Sequence, residues 1–268
     1  MPDLALDDIS LHYEIDGSGP PLLLLAGMMS DSASWGPLVS LLTAHFTVIR
    51  PDNRTTGLTT PWDAEVSVMQ MAQDALALMD DLGHARFHVA GHSLGGLMTL
   101  EIAGLAPERV ATAGVLASGR IRSPRTAAVF DALLNIRRAP EGEEMWLRAL
   151  YPWVFGQAFF KDPANVETAI AAARAYPYAQ TADAMAHQIT AFRGYRPQSA
   201  LDQITAPTLI LYAGQDVMVP PEMARPGFSV IRNLTEVTVE DAGHSIVWDA
   251  TADVAQHLLQ HLTTNPIA

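Results

Sequence analysis

Gly91-His92-Ser93-Leu94-Gly95 follows the short apolar run Phe87-His88-Val89-Ala90 and opens a second one, Leu97-Met98-Thr99-Leu100-Glu101-Ile102-Ala103. A Gly-x-Ser-x-Gly pentapeptide between a strand-like and a helix-like segment sets a serine on a sharp reversal of the chain. Glycines on both flanks remove the Cβ atoms that would collide where strand and helix cross. The reversal holds the serine in strained backbone geometry and lifts its hydroxyl above the sheet. The amide of Leu94, at the helix start, has no partner within the helix and points at the same space.

Upstream, residues 22–25 and 46–49 are continuous apolar runs, as expected of strands covered on both faces. Residues 10–15 alternate roughly and end at Asp16-Gly17-Ser18-Gly19-Pro20, a dense turn signal. Over residues 66–82, Met69, Ala72, Leu76 and Met79 recur at helical spacing. Gln73, Asp74, Asp80 and Asp81 are expected largely on the other faces, and Gly83 at the stop. Downstream, residues 110–117, 208–212 and 236–239 read as further strands, and 252–262 as a closing helix. Strands alternating with helices predict an α/β, doubly wound, mostly parallel sheet.

The alternation lapses over residues 121–196, which look helical and hold more than half of the aromatic side chains. An insertion after a strand of a parallel sheet lies at the carboxyl edge, above the site. This predicts a helical cap, 121–196, on a core formed by 1–120 and 197–268. Trp146, Tyr151, Trp153, Phe155, Phe159, Phe160, Tyr176 and Tyr178 are expected mostly to pack together as the cap's own small core, with few facing a substrate.

The length of 268 residues suits one large α/β domain with an insertion. There are no cysteines, which excludes disulfides, thiolate nucleophiles and thiolate-bound zinc. A formal charge of −13 argues against nucleic acid and anionic membranes as partners. No apolar run is long enough to span a bilayer. The N-terminal residues have neither a basic region nor a signal-peptide core, so cytoplasmic residence is expected. No metal-binding spacing is present, and Ser93 breaks any dinucleotide-type glycine pattern. No metal and no cofactor are therefore expected. Monomer and homodimer both stay open.

A serine hydroxyl becomes a nucleophile when a base lies within hydrogen-bond reach and a carboxylate orients that base. Residues 208–212 run into Ala213-Gly214-Gln215-Asp216, and 236–239 into Glu240-Asp241-Ala242-Gly243-His244. Asp216 and His244 thus follow strands, and both side chains are expected at the carboxyl edge with Ser93.

With the order Ser93, Asp216, His244, the chain resembles the α/β-hydrolase fold superfamily along its whole length. The matching stretches are Leu25-Ala26-Gly27-Met28, Gly91 to Gly96, Gly214-Gln215-Asp216 and Ala242-Gly243-His244. In spacing and cap size it is similar to the branch of small bacterial carboxylesterases, 3-oxoadipate enol-lactonases and aminoacrylate-type hydrolases. The resemblance implies an eight-stranded sheet and a serine hydrolase acting on a small ester or lactone through an acyl-enzyme. It also implies an oxyanion hole built from the amides of Met28 and Leu94. The family's usual His-Gly pair is Ala26-Gly27 here, so the contacts of that histidine are lost while the close turn at Gly27 is kept. Asp52-Asn53-Arg54-Thr55-Thr56-Gly57 departs from the common Asp-x-Arg-Gly-x-Gly and reads as a structural turn held by Asp52 and Arg54.

Candidate substrate-facing residues are Gly27, His92, Arg122 and Trp153, with His92 also bracing the turn at Ser93. His12, His45, His84, His257 and His261 read as surface or element-end residues, and His187 as a helix-face residue of the cap. Arg120, Arg122, Arg125, Arg193 and Arg196 flank the expected pocket mouth. They suit either salt bridges to the surplus of acids or a bidentate grip on a substrate carboxylate. The same triad serves C–C bond hydrolysis beside a ketone and cofactor-free perhydrolysis. A small-molecule receptor on the same fold is the non-enzyme alternative. Dehalogenase and epoxide hydrolase chemistry is disfavoured, because those relatives carry aspartate where Ser93 stands.

Overall fold

In a computed structural model that describes residues 2–267, the apolar runs become the strands of one sheet. Met1 and Ala268, the outermost residues of the expected core segments, lie outside the described residues. The strands are β1 (Asp3–Ala5), β2 (Ser10–Gly17), β3 (Pro21–Leu25), β4 (Thr47–Pro51), β5 (Phe87–His92), β6 (Val110–Leu116), β7 (Thr208–Ala213) and β8 (Leu234–Val239). They pair in the order β1-β2-β4-β3-β5-β6-β7-β8. From β4 to β8 the pairing is parallel, while β1 and β2 add an antiparallel edge. The eighth strand is β1, three residues with no apolar run to announce it.

The helices are α1 (Gly36–Leu42), α2 (Val68–Asp81), α3 (Leu94–Leu105), α4 (Pro124–Arg138), α5 (Gly142–Val154), α6 (Pro163–Ala175), α7 (Ala182–Gly194), α8 (Pro221–Phe228), α9 (Ile246–Asp249) and α10 (Thr251–Thr263). Four of them, α4 to α7, fill the stretch between β6 and β7 without a strand. Side chains of β3 explain why it needs an unbroken apolar run. Leu23 and Leu25 join one buried cluster with α2 and α3, and Leu22 and Leu24 join another with α1 and α10. Each leucine so buried contributes about 2 kcal/mol.

Ser67 caps α2, its Oγ accepting from the Gln70 amide at 3.0 Å. Gly83 ends the helix in the left-handed region (φ 74°), with the His84 amide donating back to the Met79 carbonyl at 2.9 Å. Asp74 departs from the expected polar face. It is buried, and Arg54 donates to it from Nε at 2.6 Å and from Nη2 at 3.0 Å. An ion pair drew it inward against the amphipathic pattern, because its partner lies on another segment. Asp52 does hold its turn, accepting from the Ser32 and Leu58 amides at 2.8 Å each.

Of the histidines read as surface or element-end residues, His12 is instead buried within β2, while His261 is at the end of α10 as well as buried. His12 is lodged against Asp3 (2.8 Å) and Glu14 (3.2 Å) on the edge strands. His88, the second residue of β5, is wholly buried and bonds Thr112 Oγ1 through Nδ1 at 2.8 Å. Burial, with His261 and Arg86 adding repulsion, pushes its imidazole down to about 4. A histidine whose pKa is depressed on folding stabilises the fold above its unfolded value, near 6.5. That stability is lost as pH falls toward 4, because only the unfolded chain takes up the proton. Unfolding midpoints in urea should therefore fall between pH 7 and pH 5, with His88 contributing up to about 1 kcal/mol per pH unit. Gln at position 88 should flatten that slope. A slope unchanged by His88→Gln would show that His88 is not its source.

Candidate active site

Ser93 joins β5 to α3 with φ 52° and ψ −114°, a conformation that non-glycine residues adopt only under constraint. Its amide donates to the Leu116 carbonyl at 2.9 Å, and Ser118 Oγ donates to its carbonyl at 2.6 Å. Both flanking glycines are required by contact. A Cβ on Gly91 would overlap the Gly95 carbonyl, and one on Gly95 would overlap the Leu25 carbonyl of β3.

Asp216 follows β7 in a turn that it builds itself. Its Oδ1 accepts from the amides of Met218 and Val219 at 2.8 Å each. Its Oδ2 lies 2.8 Å from His244 Nδ1, and His244 Nε2 lies 2.9 Å from Ser93 Oγ. With Nδ1–H donating to the carboxylate, Nε2 is left to accept the Ser93 hydroxyl proton. Burial raises the Asp216 carboxyl, but the His244 ring and the two amides outweigh it and hold the group below its ordinary value. The carboxylate stays charged where it faces the imidazole.

The His244 loop is fastened to the helical segment. Asp249 Oδ2 accepts from the Gly243 amide at 2.8 Å and from the Gly156 amide at 2.7 Å. The Ser245 amide donates to the Val154 carbonyl at 2.6 Å. Tyr176 Oη donates to Asp31 Oδ2 at 2.7 Å and ties the same segment to the loop after β3.

Ser93 and His244 open on a cavity of about 400 Å³, which Met28 and Leu94 also line. Neither the Met28 nor the Leu94 amide donates to a protein acceptor among the described residues. Gly27, His92 and Trp153 do not line the cavity. Gly27 is packed under the loop, where a Cβ would come within 3.0 Å of His92 Nδ1 and 3.4 Å of Ser93 Cβ. His92 donates from Nε2 to the backbone carbonyl of His244 at 2.7 Å. Burial, with the neighbouring His244 ring, pushes it down to about 4, which keeps it a neutral donor bracing the His244 loop. Trp153 packs into the small core of α4, α5 and α7.

None of the eight aromatics singled out in the helical segment lines the cavity; Phe130, Phe192 and Tyr195 do. Those three sit near the two ends of the segment, where it leaves and rejoins the sheet, away from the aromatic-dense middle. Of the arginines, Arg120 is held by Glu101 (2.9 Å) and by the carbonyl and hydroxyl of Ser199 (2.7 Å each). Arg193 pairs with Asp131 at 2.6 Å, and Arg125 bonds the Val217 carbonyl at 2.6 Å. Arg122 lines the cavity rim, is exposed, and makes no ion pair or hydrogen bond among the described residues.

The doubly wound sheet thus brings this serine, histidine and aspartate into one hydrogen-bonded line at its carboxyl edge. Residues 22–257 match the model of the alpha/beta hydrolase family, and the chain belongs to that family. It is 33% identical over 226 residues to a candidate carbamate hydrolase, RutD, of Azorhizobium caulinodans, covering 82% of each chain. Among solved structures it is similar to the enol-lactonase from Burkholderia xenovorans LB400. There the TM-score is 0.85 and the identity 24%, covering 98% of this chain and 100% of that one. A thermophilic esterase from Thermogutta terrifontis, determined with malate bound, aligns with a TM-score of 0.82 and 25% identity, covering 96% of this chain and 94% of that one.

No helix among the described residues is long and apolar enough to cross a membrane.

Proposed function

We propose that the protein is a serine hydrolase that cleaves a carboxylic ester or lactone of a small molecule. The observation that carries this reading is one imidazole bridging Ser93 Oγ (2.9 Å) and Asp216 (2.8 Å) at the wall of the cavity. Ser93 Oγ attacks the carbonyl carbon while its proton passes to His244 Nε2. The carbonyl oxygen becomes an oxyanion, held by the amides of Met28 and Leu94. Collapse expels the alcohol, which takes the proton back from His244 and leaves an acyl group on Ser93. Water, its proton taken by His244, then attacks the acyl carbon; the bond to Ser93 Oγ breaks, His244 returns the proton to Oγ, and the acid leaves.

A carbamate is the second reading, favoured by the name of the Azorhizobium relative. Its carbonyl meets the same nucleophile and the same hole. Arg122, free of internal partners at the rim, is proposed to hold a carboxylate on the substrate.

A fluorophosphonate probe should label Ser93 in the folded protein, and an unlabelled Ser93 would refute the acyl-enzyme scheme. Hydrolysis of a p-nitrophenyl hemisuccinate, a neutral ester of equal length and the matching carbamate then ranks the substrate classes. Arg122→Ala should raise KM for the anionic ester about three- to ten-fold and leave the neutral one unchanged. Equal effects on both would remove Arg122 from the site.

A further inference from the structure

We infer that Gln188, on α7 of the helical segment, is a positioning residue for the oxyanion hole, fixing the loop that presents the Met28 amide. The inference rests on the reading of Met28 as an oxyanion donor given above.

Gln188 is fully buried, and its Oε1 accepts from the backbone N–H of Met29 at 2.7 Å. Met29 has φ 61°, a left-handed conformation that a non-glycine residue keeps only when its surroundings hold it there. The peptide unit between Met28 and Met29 is planar, so gripping its N–H fixes the rotation of the whole unit. That unit directly follows Met28, and its orientation limits where the Met28 amide can point.

On the other side of the turn, Asn53 Nδ2 donates to the Ala26 carbonyl at 3.0 Å. The four residues from Ala26 to Met29 are thus clamped at both ends by carboxamides from other parts of the chain. Ala26 has no polar side chain with which to brace the turn itself.

The rest of the Gln188 carboxamide makes the point sharper. Its Nε2 is buried without a hydrogen-bond partner among the described residues. An apolar residue of the same size would avoid leaving that donor unpaired. What glutamine contributes here is its acceptor oxygen, used on Met29. Gln180 steadies the frame, donating from Nε2 to the carbonyl and hydroxyl of Thr55 at 2.9 and 3.0 Å. The helical segment therefore reaches the oxyanion loop through a buried hydrogen bond as well as covering the cavity.

The test compares Gln188→Met, which keeps the volume and removes the acceptor, with Gln188→Glu, which keeps an oxygen at the same reach. On a p-nitrophenyl ester, Gln188→Met should lower kcat about 10- to 100-fold with KM within about three-fold of the parent. Inhibition by an aryl trifluoromethyl ketone, whose adduct carries the oxyanion, should weaken by the same factor as kcat. Gln188→Glu should stay within about five-fold of the parent in both readouts. An unchanged kcat in Gln188→Met, a loss carried by KM alone, or equal losses in both variants would each overturn the inference. Should Gln188→Met not fold, Gln188→Asn, whose oxygen stops about 1.5 Å short, supplies the same comparison. Fluorophosphonate labelling separates the two levels: Ser93 labelled with kcat unchanged in Gln188→Met sinks only the role of Gln188. An unlabelled Ser93 in the parent sinks the acyl-enzyme reading beneath it.

Discussion

Ser93→Ala should lower kcat for p-nitrophenyl ester hydrolysis by about 10⁴-fold or more. In the proposed scheme the nucleophile, the base and its orienting carboxylate act as a unit, so removing one member should forfeit most of what all three provide. The residual rate would come from the oxyanion hole and from binding in the cavity of about 400 Å³. Because the alanine variant lacks only an oxygen at the head of α3, its unfolding midpoint should stay close to the parent's. His244→Ala should fall to a similar floor, and the Ser93–His244 double variant should be no worse than either single one. Steady-state rates, with titration of active sites to exclude traces of parent enzyme, decide the matter. A Ser93→Ala protein within ten-fold of the parent would mean that the 2.9 Å contact between Ser93 Oγ and His244 Nε2 is not the seat of the reaction.

Gly95→Ala should have the largest effect on stability. A methyl group there would overlap the Leu25 carbonyl oxygen and lie 2.5 Å from the Leu25 carbonyl carbon and 2.8 Å from the Ala26 oxygen. All three are buried backbone atoms at the carboxyl end of β3, so nothing flexible can turn aside. Helix α3 would have to move away from β3, opening the core and displacing Ser93 together with Leu94. A cost above about 4 kcal/mol is expected, the range reserved for disrupted cores. For a chain of this size that corresponds to a fall in Tm of about 8–16 °C. Gly36→Ala is the control, since a Cβ there meets nothing within 4 Å. If both variants melted within about 2 °C of the parent, helix and strand would not approach as closely as the structure has them.

The glycines at 91 and 95 could be read from the sequence because their reason is local. A strand, a tight turn and a helix in immediate succession leave no room for Cβ atoms, whatever the rest of the chain does. The parallel sheet was readable for a related reason. Leu22 to Leu25 are covered on both faces, so the run shows no polar interruption. β1 carries no such pattern, because Asp3 and Ala5 are exposed and only Leu4 is half-buried. Asp216 and His244 were readable as residues just past strands, which places them at one edge without any knowledge of their contacts.

Residues whose roles depend on partners far along the chain could not be read in this way. Asp74 carries the pattern of an exposed helix face, yet it is buried on Arg54, twenty residues earlier. Gln188 has the ordinary look of a polar helix residue, and only its contact with Met29, 159 residues away, gives it a task. The aromatics of the helical segment show the same limit. Trp153 packs among α4, α5 and α7, whereas Phe130 and Phe192 reach the cavity, and composition does not tell these fates apart.

The sequence by itself determined the parallel strands of the sheet, the strained turn at Ser93 and the edge on which Ser93, Asp216 and His244 gather. Each of these follows from short-range sterics and the periodicity of buried surface. Tertiary structure alone decided which side chains wall the cavity, that Arg122 at its rim has no internal partner among the described residues, and which residue of the helical segment grips the loop beside Met28. Those outcomes depend on how separately formed pieces pack against one another, and no short stretch of chain encodes the angle at which they meet.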